Sequence, residues 1–440
     1  MTQGPKIFQI VIMVVFVAFL LLGFLGFSGK LPLPGGDKKI NYGVVTMWGN
    51  LPAIPMQGLI TAITSADKSI TIKYVEKNPA SLRRDFVEAL AVGQGPDIIM
   101  LSQDEILKNI NKLSFISYES IPERDFKSTF IEEGEMFLWP SGISALPFTI
   151  DPIIMYWNRD IFTDALETAP PKTWSEFYNL VPKITIRDGK NNITRSLVSF
   201  GEYRNVTNAK EIIATLLLQA GVPIVQNTNG AIKAGIFVEA PSNTENPAVT
   251  TMRFFTEFSK DYKDSYSWNR SLSPSRIMFE RGDLAIYFGF SSEYSSIKLK
   301  NPHLNFDVSL IPQISPVSKK ITFGRMYGLA IADRSENKTG ALYAVSLLSQ
   351  KDSIDGFGSI TGLPPVRRDL VSIKQTDAVA SVFYNAALIA RAWQDPSPED
   401  TSNIFMTMID SITSERVKPS SAVLTAQSSL ARLLEQYQPQ

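Results

Sequence analysis

"LPFTIDPIIMYWNRDIF", residues 146–162, is apolar or aromatic almost throughout, yet Asp151 stands in its middle with Pro152 directly behind it. A run this rich in β-branched and aromatic residues reads as a buried strand. A carboxylate inside such a strand is costly unless it is paired. Before Pro152 such an acid can also serve as a turn acid that breaks the strand. The acid therefore either braces a turn or faces a place that a ligand can reach.

Upstream, "INYGVVTMWG" (40–49) reads as a strand and "MQGLITAITSADKS" (56–69) as a helix. "ITIKYVEK" (70–77) is again a strand, "ASLRRDFVEALAVGQG" (80–95) a helix stopped by its glycines, and "PDIIMLS" (96–102) a strand. This β-α-β-α-β order predicts an open, largely parallel sheet with helices on both faces. Ligands on such sheets lie beyond the carboxyl ends of the strands, where Trp48, Gly49 and Ser102 sit. Downstream the pattern restarts. "PPKTWSEFYNLVPKI" (170–184) offers a capping box from Thr173 to Glu176, which makes Trp174 structural, and "RSLVSFG" (195–201) is a strand. "NAKEIIATLLLQAGV" (208–222) offers a second box from Asn208 to Glu211. "DLAIYFGF" (283–290) and "YGLAIAD" (327–333) are further strands, and the last hundred residues read as mostly helical.

The whole chain narrows the function. Its 440 residues carry 43 basic and 43 acidic side chains, so no net charge recruits nucleic acid. With no cysteine, disulfides, thiolate nucleophiles and Cys-ligated metals are excluded. The single histidine, His303, lies in a turn-like stretch and cannot build a multi-histidine metal site. Dinucleotide and P-loop glycine patterns are absent, so no cofactor is expected. A pair of glycosidase carboxylates stays open, because such pairs are defined in space and not in sequence. The 46 aromatic residues, 14 Tyr, 26 Phe and 6 Trp, suit stacking on sugar rings beside hydroxyl-binding acids, although any one of them is more often core.

Residues 1–6 form a short flank to "IFQIVIMVVFVAFLLLGFLGF" (7–27), whose only polar member is Gln9. A helix of that length spans the hydrocarbon, and it exceeds the apolar core of a cleaved signal, so a single-pass anchor is expected. "SGKLPLPGGDKK" (28–39) reads as a Pro/Gly-rich linker.

Taken together with "ALAVGQGPDII" (89–99), "FERGDLAIYFGF" (279–290), "YGLAIADRSENKTGALYAVSLL" (327–348), "GLPPVRRDL" (362–370) and "AVLTAQSSLARLL" (422–434), these stretches resemble the extracellular solute-binding proteins of ABC importers, especially the maltose-binding-protein-like sugar binders. The resemblance covers roughly residues 40–440. It implies an α/β, two-lobed periplasmic-binding-protein-like fold with a hinge and an interlobe cleft. Residues 40–149 and 290–335 would form one lobe, and 150–289 and 336–440 the other. It also implies a monomeric, non-enzymatic protein, anchored in the cell membrane with its globular part extracytoplasmic, that passes a carbohydrate to ABC permease subunits. A non-sugar solute, a sensor role and an anchored glycoside hydrolase are the alternatives. By positional matching, the ligand would meet Trp48, Gly49, Ser102, Gln103, Asp104, Asp151, Tyr203, Arg204, Asn205, Phe288, Gly289, Phe290, Ser291, Arg325, Tyr327 and Trp393. Phe288 and Phe290 stand where many close sugar binders show tryptophan.

Overall fold

The computed structural model describes residues 40–228, 231–237 and 244–437. The expected anchor 7–27 and linker 28–39 lie outside them. Among the described residues, no helix is long and apolar enough to cross a membrane.

The five alternating elements form as expected: strand Gly43–Gly49, helix Ala53–Ala66, strand Ile70–Glu76, helix Leu82–Ala91 and strand Ile98–Ser102. The first strand runs parallel to both others and lies between them. Leu82, Phe86 and Leu90, spaced four apart, bury one face of the second helix against this sheet. Gly93, at φ 72°, then turns the chain back through a conformation that a side chain would disfavour.

The sheet continues through two long antiparallel strands, so it is mixed and not largely parallel. Strand Thr322–Ala332 pairs antiparallel with Ile98–Ser102, placing Tyr327 opposite Ser102. Strand Leu146–Asn158 pairs in its first part with Gly324–Leu329 and in its second, from Ile153 to Trp157, with Ile286–Phe290. It therefore belongs to two sets of strands, and the change falls at Asp151–Ile153. Beyond it, Leu284–Phe290 runs parallel to Ile193–Val198.

The expected division at residues 290 and 336 needs correction at both ends. Strand Phe306–Ser309 pairs with Met155–Asn158, which keeps this stretch with the second half. Helices Lys338–Leu348 and Lys351–Thr361 pack on the strand Gly43–Gly49 and the helix Ala53–Ala66, returning that stretch to the first half. Helices Pro398–Thr413 and Pro419–Glu435 then pack on helix Pro247–Glu257 in the second half. The swap follows from β-pairing and apolar packing between segments far apart in sequence.

An aromatic core fills the second half. Phe200 stacks on Phe177 and Phe288 with centroids 5.9 and 5.5 Å away, and Trp174 lies 5.7 Å from Phe288. The capping box at Thr173–Glu176 is present, and Trp174 Nε1 donates to Gln219 Oε1 at 2.6 Å, so Trp174 is structural.

Candidate functional site

Asp151 sits where the long strand changes partners, in register with Arg325 on the neighbouring strand. It is 5% exposed. Its Oδ1 accepts from Ser291 Oγ at 2.7 Å and from the Ser292 amide at 3.0 Å. Burial pushes its carboxyl above the ordinary range, and the bonds from Ser292 and Ser291 and the charge of Arg325 act against that rise. The acid thus ties the end of strand Leu284–Phe290 to the crossing.

Arg325 turns its guanidinium to Glu211 Oε1 at 3.0 Å and lies 4.2 Å from the ring centroid of Phe290. Burial works against its charge, but Glu211, Tyr327, Asp104 and Asp151 outweigh it and hold the group firmly protonated. One residue before Glu211, the buried Lys210 places Nζ 2.9 Å from Asp395 Oδ2 and 3.3 Å from the Pro398 carbonyl. Burial pushes Asp395 up to about 6 despite Lys210, and Asp104 adds to the rise. Thr401 Oγ1 and the Ser397 amide also donate to Asp395. Burial likewise pushes the Tyr327 and Tyr203 hydroxyls up to about 12, so both stay protonated.

On the first half, Ser102 Oγ donates to Asp104, and Gln103 Oε1 accepts from the Met326 amide at 2.7 Å. Gln103 Nε2 is buried and has no partner among the described residues. Lys108 Nζ reaches Ser397 Oγ at 2.8 Å, so the halves also meet here through a direct bond. Beside the cluster opens a cavity of about 570 Å³ lined by Tyr203, Arg204, Asn208, Lys210, Glu211 and Ser402, among others. Tyr203 OH and Ser402 Oγ lie 2.7 Å apart on its wall. One carboxylate, an ammonium, a guanidinium and two hydroxyls in the lining of one cavity suit a neutral molecule rich in hydroxyl groups, since charge-assisted hydrogen bonds to it are strong.

Of the residues expected at the ligand, Ser102, Gln103, Asp104, Asp151, Tyr203, Arg204, Phe290, Ser291, Arg325 and Tyr327 gather around this crossing or its cavity. Trp48 instead lies under Lys77 Nζ, 3.7 Å from its ring centroid, and Gly49 is packed against Tyr74 and Met100. Phe288 is fully buried in the aromatic core, and the position where Gly289 would carry a Cβ is 2.5 Å from the Tyr287 ring. Asn205 spends its amide on Asn269 and Leu272 carbonyls and on Trp268 Nε1. Trp393 stacks on Phe405, 6.2 Å away, and lines a different cavity. Phe288, two residues before Phe290 on the same strand, is taken up by the aromatic core, packed between Phe200 and Trp174.

Lys210, Glu211 and Asp395 were not anticipated. The expected second capping box does not form, because Asn208 takes a left-handed conformation at φ 60° and its side chain caps nothing. Its Nδ2 instead donates to Tyr287 OH, the Phe288 carbonyl and Glu293, which leaves Glu211 free for Arg325.

Residues 58–382 match the family model of the bacterial extracellular solute-binding proteins. The chain belongs to that family. As a solute-binding protein it binds and does not catalyse, and its α/β architecture is the two-lobed fold of the family. Binding proteins from Brucella abortus (strain 2308) and Brucella suis biovar 1 are 24% identical to it over 258 residues, 56% of this chain and 56% of each relative. The match thus spans little more than half the length of these curated relatives. Among solved structures, an ABC transporter solute-binding protein of Thermotoga lettingae bound to α-D-tagatose is 20% identical, with a TM-score of 0.66 over 89% of this chain and 100% of that one. The cyclic α-maltosyl-1,6-maltose binding protein of Arthrobacter globiformis is 13% identical, with a TM-score of 0.74 over 89% and 99%. A cyclo/maltodextrin-binding protein in complex with maltotetraose is 14% identical, with a TM-score of 0.71 over 91% and 99%.

Proposed function

We propose that this solute-binding protein captures a sugar or oligosaccharide at the strand crossing and delivers it to an ABC importer, while residues 7–27 hold it in the membrane with the lobes extracytoplasmic. The observation that carries the reading is the cavity walled by Tyr203, Lys210 and Glu211, with Glu211 paired to Arg325, which lies in register with Asp151 at the crossing. The sugars in the related structures named above support the ligand class. In this reading the lobes open and close about Asp151–Ile153, and a ligand that touches both walls draws the population toward the closed form. The closed form is then the one a permease accepts.

A thermal-shift screen of the purified chain against mono- and oligosaccharides, amino acids, polyamines and phosphate esters tests this, because a ligand that binds only the folded state raises its melting temperature. Saccharide protection that is lost in Tyr203→Phe and Asp151→Asn is the expected result. Protection by a charged non-sugar alone would keep the fold and overturn the ligand class.

A further inference from the structure

A second cavity, of about 610 Å³, shares no lining residue with the first. The 3₁₀ segment Glu132–Phe137 packs there, where a Cβ on Gly328 would meet the Phe137 ring at 2.8 Å. Trp139, Tyr118 and Trp393 supply aromatic walls, and Asn227 contributes from the second half. Gln394 stitches the cavity together, accepting from Asn227 Nδ2 at 2.8 Å and donating to the Met136 carbonyl at 3.3 Å.

Four carboxylates line this cavity: Glu123, Glu132, Glu133 and Glu135. Three have cationic partners. Glu123 and Glu135 share Lys127, while Glu132 meets Arg391 and Lys319. Glu133 makes no ion pair among those found between described residues, is 2% exposed, and its Oε1 has no hydrogen-bond partner among them. Trp139 Nε1, in the same lining and in a residue 4% exposed, is equally without a partner. An acceptor and a donor buried without partners each carry a desolvation cost, which a bound molecule offering the complementary groups would offset. Burial pushes the Glu133 carboxyl up to about 8 despite Arg391, with Glu132 adding to the rise, so at neutral pH it holds its proton, and an ammonium bound beside it would lower it again and release that proton to solvent.

We propose that this cavity is a second ligand site, separate from the sugar cleft, that takes a small hydroxylated amine, with its ammonium on Glu133, a hydroxyl oxygen on Trp139 Nε1 and its carbon skeleton against Trp393 and Tyr118. The aromatic faces favour a cation over a neutral molecule. Nothing in this inference depends on which sugar the cleft holds.

The test is isothermal titration of glucosamine and its β-1,4-linked dimer into the full chain in detergent, with glucose and cellobiose as uncharged controls. The amines are expected to bind the wild type and to bind Glu133→Gln at least tenfold more weakly, with the melting temperature of the free protein unchanged. At pH 7, comparison of two buffers of different ionisation enthalpy is expected to show proton release that Glu133→Gln abolishes. Trp139→Phe, which keeps a ring and removes the N–H, gives an independent second loss. Equal affinity for the amines and their uncharged controls, or amine affinity unchanged in Glu133→Gln and Trp139→Phe, overturns the proposal. Asp151→Asn reports on the cleft alone, so failure of one site is distinguishable from failure of the other.

Discussion

Replacing Lys210 by methionine removes a buried cation while keeping most of its volume. Side-chain exposure is 10% for Lys210 and 1% for Asp395, so solvent screens the pair little. Breaking a buried pair from one side costs about 3–5 kcal/mol, because the remaining charge stays desolvated. Thr401 and the Ser397 amide still donate to Asp395, which places the expected loss near the lower end, about 3 kcal/mol at pH 8. The loss should shrink with acid. Asp395 already sits at about 6 in the folded wild type, above its ordinary value, so below pH 6 it carries a proton and Lys210 loses its directly bonded ionised partner. At pH 8 the variant must bury a carboxylate with no counter-charge, or hold a proton against the solvent. Urea unfolding at pH 8 and pH 5, read by circular dichroism, measures both values. The double variant Lys210→Met/Asp395→Asn should recover most of the loss at pH 8. A cost below about 1 kcal/mol at pH 8, in the range of an exposed pair, would refute the reasoning. So would a cost equal at the two pH values.

Phe288→Ala should cost about 3–5 kcal/mol by urea unfolding, as expected for a fully buried aromatic, and leave saccharide affinity unchanged because the ring faces Phe200 and Trp174 and not the crossing. Asn208→Ala should lose about 2–3 kcal/mol, from the lost donors to Tyr287, Phe288 and Glu293 together with an alanine at positive φ. Asn208→Gly should recover about 1 kcal/mol of that in the same assay, since only the conformational part is relieved.

Local pattern was enough for the alternating elements between residues 40 and 102, because each strand and helix carries its own periodicity and stop signal. It was not enough for the middle of the sheet. The antiparallel partner of Leu146–Asn158 arrives some 170 residues later, and no local signal announces its direction. Asp151 shows the same limit. Its sequence neighbours allowed a turn acid or a ligand acid, whereas its bonds go to Ser291 and Ser292, about 140 residues away. Of the residues that family resemblance pointed to, Tyr203 and Arg204 line the cavity, and Asp151, Phe290, Ser291, Arg325 and Tyr327 sit at the strand crossing. It did not point to Lys210 and Glu211 in the cavity wall, because a polar residue three positions before an acid reads as a cap and only the fold shows that Asn208 adopts φ 60°. Phe288 and Trp393 misled for the usual reason: an aromatic beside a strand end has two faces to choose from, and packing chooses.

The interleaving of the chain also governs how the protein can be made. The first half needs strand Thr322–Ala332 and helix Lys338–Leu348 to close its sheet, and the second half needs the helices that run from Pro398 to Glu435. During synthesis from the amino terminus, neither half is complete until most of the chain has emerged. A nascent chain stalled near residue 310 would present two unfinished sheet edges at once, each open to pairing with another chain. The late helices therefore act as the closing step of assembly for both lobes, and a lesion there should be felt as loss of soluble protein before it is felt as loss of binding.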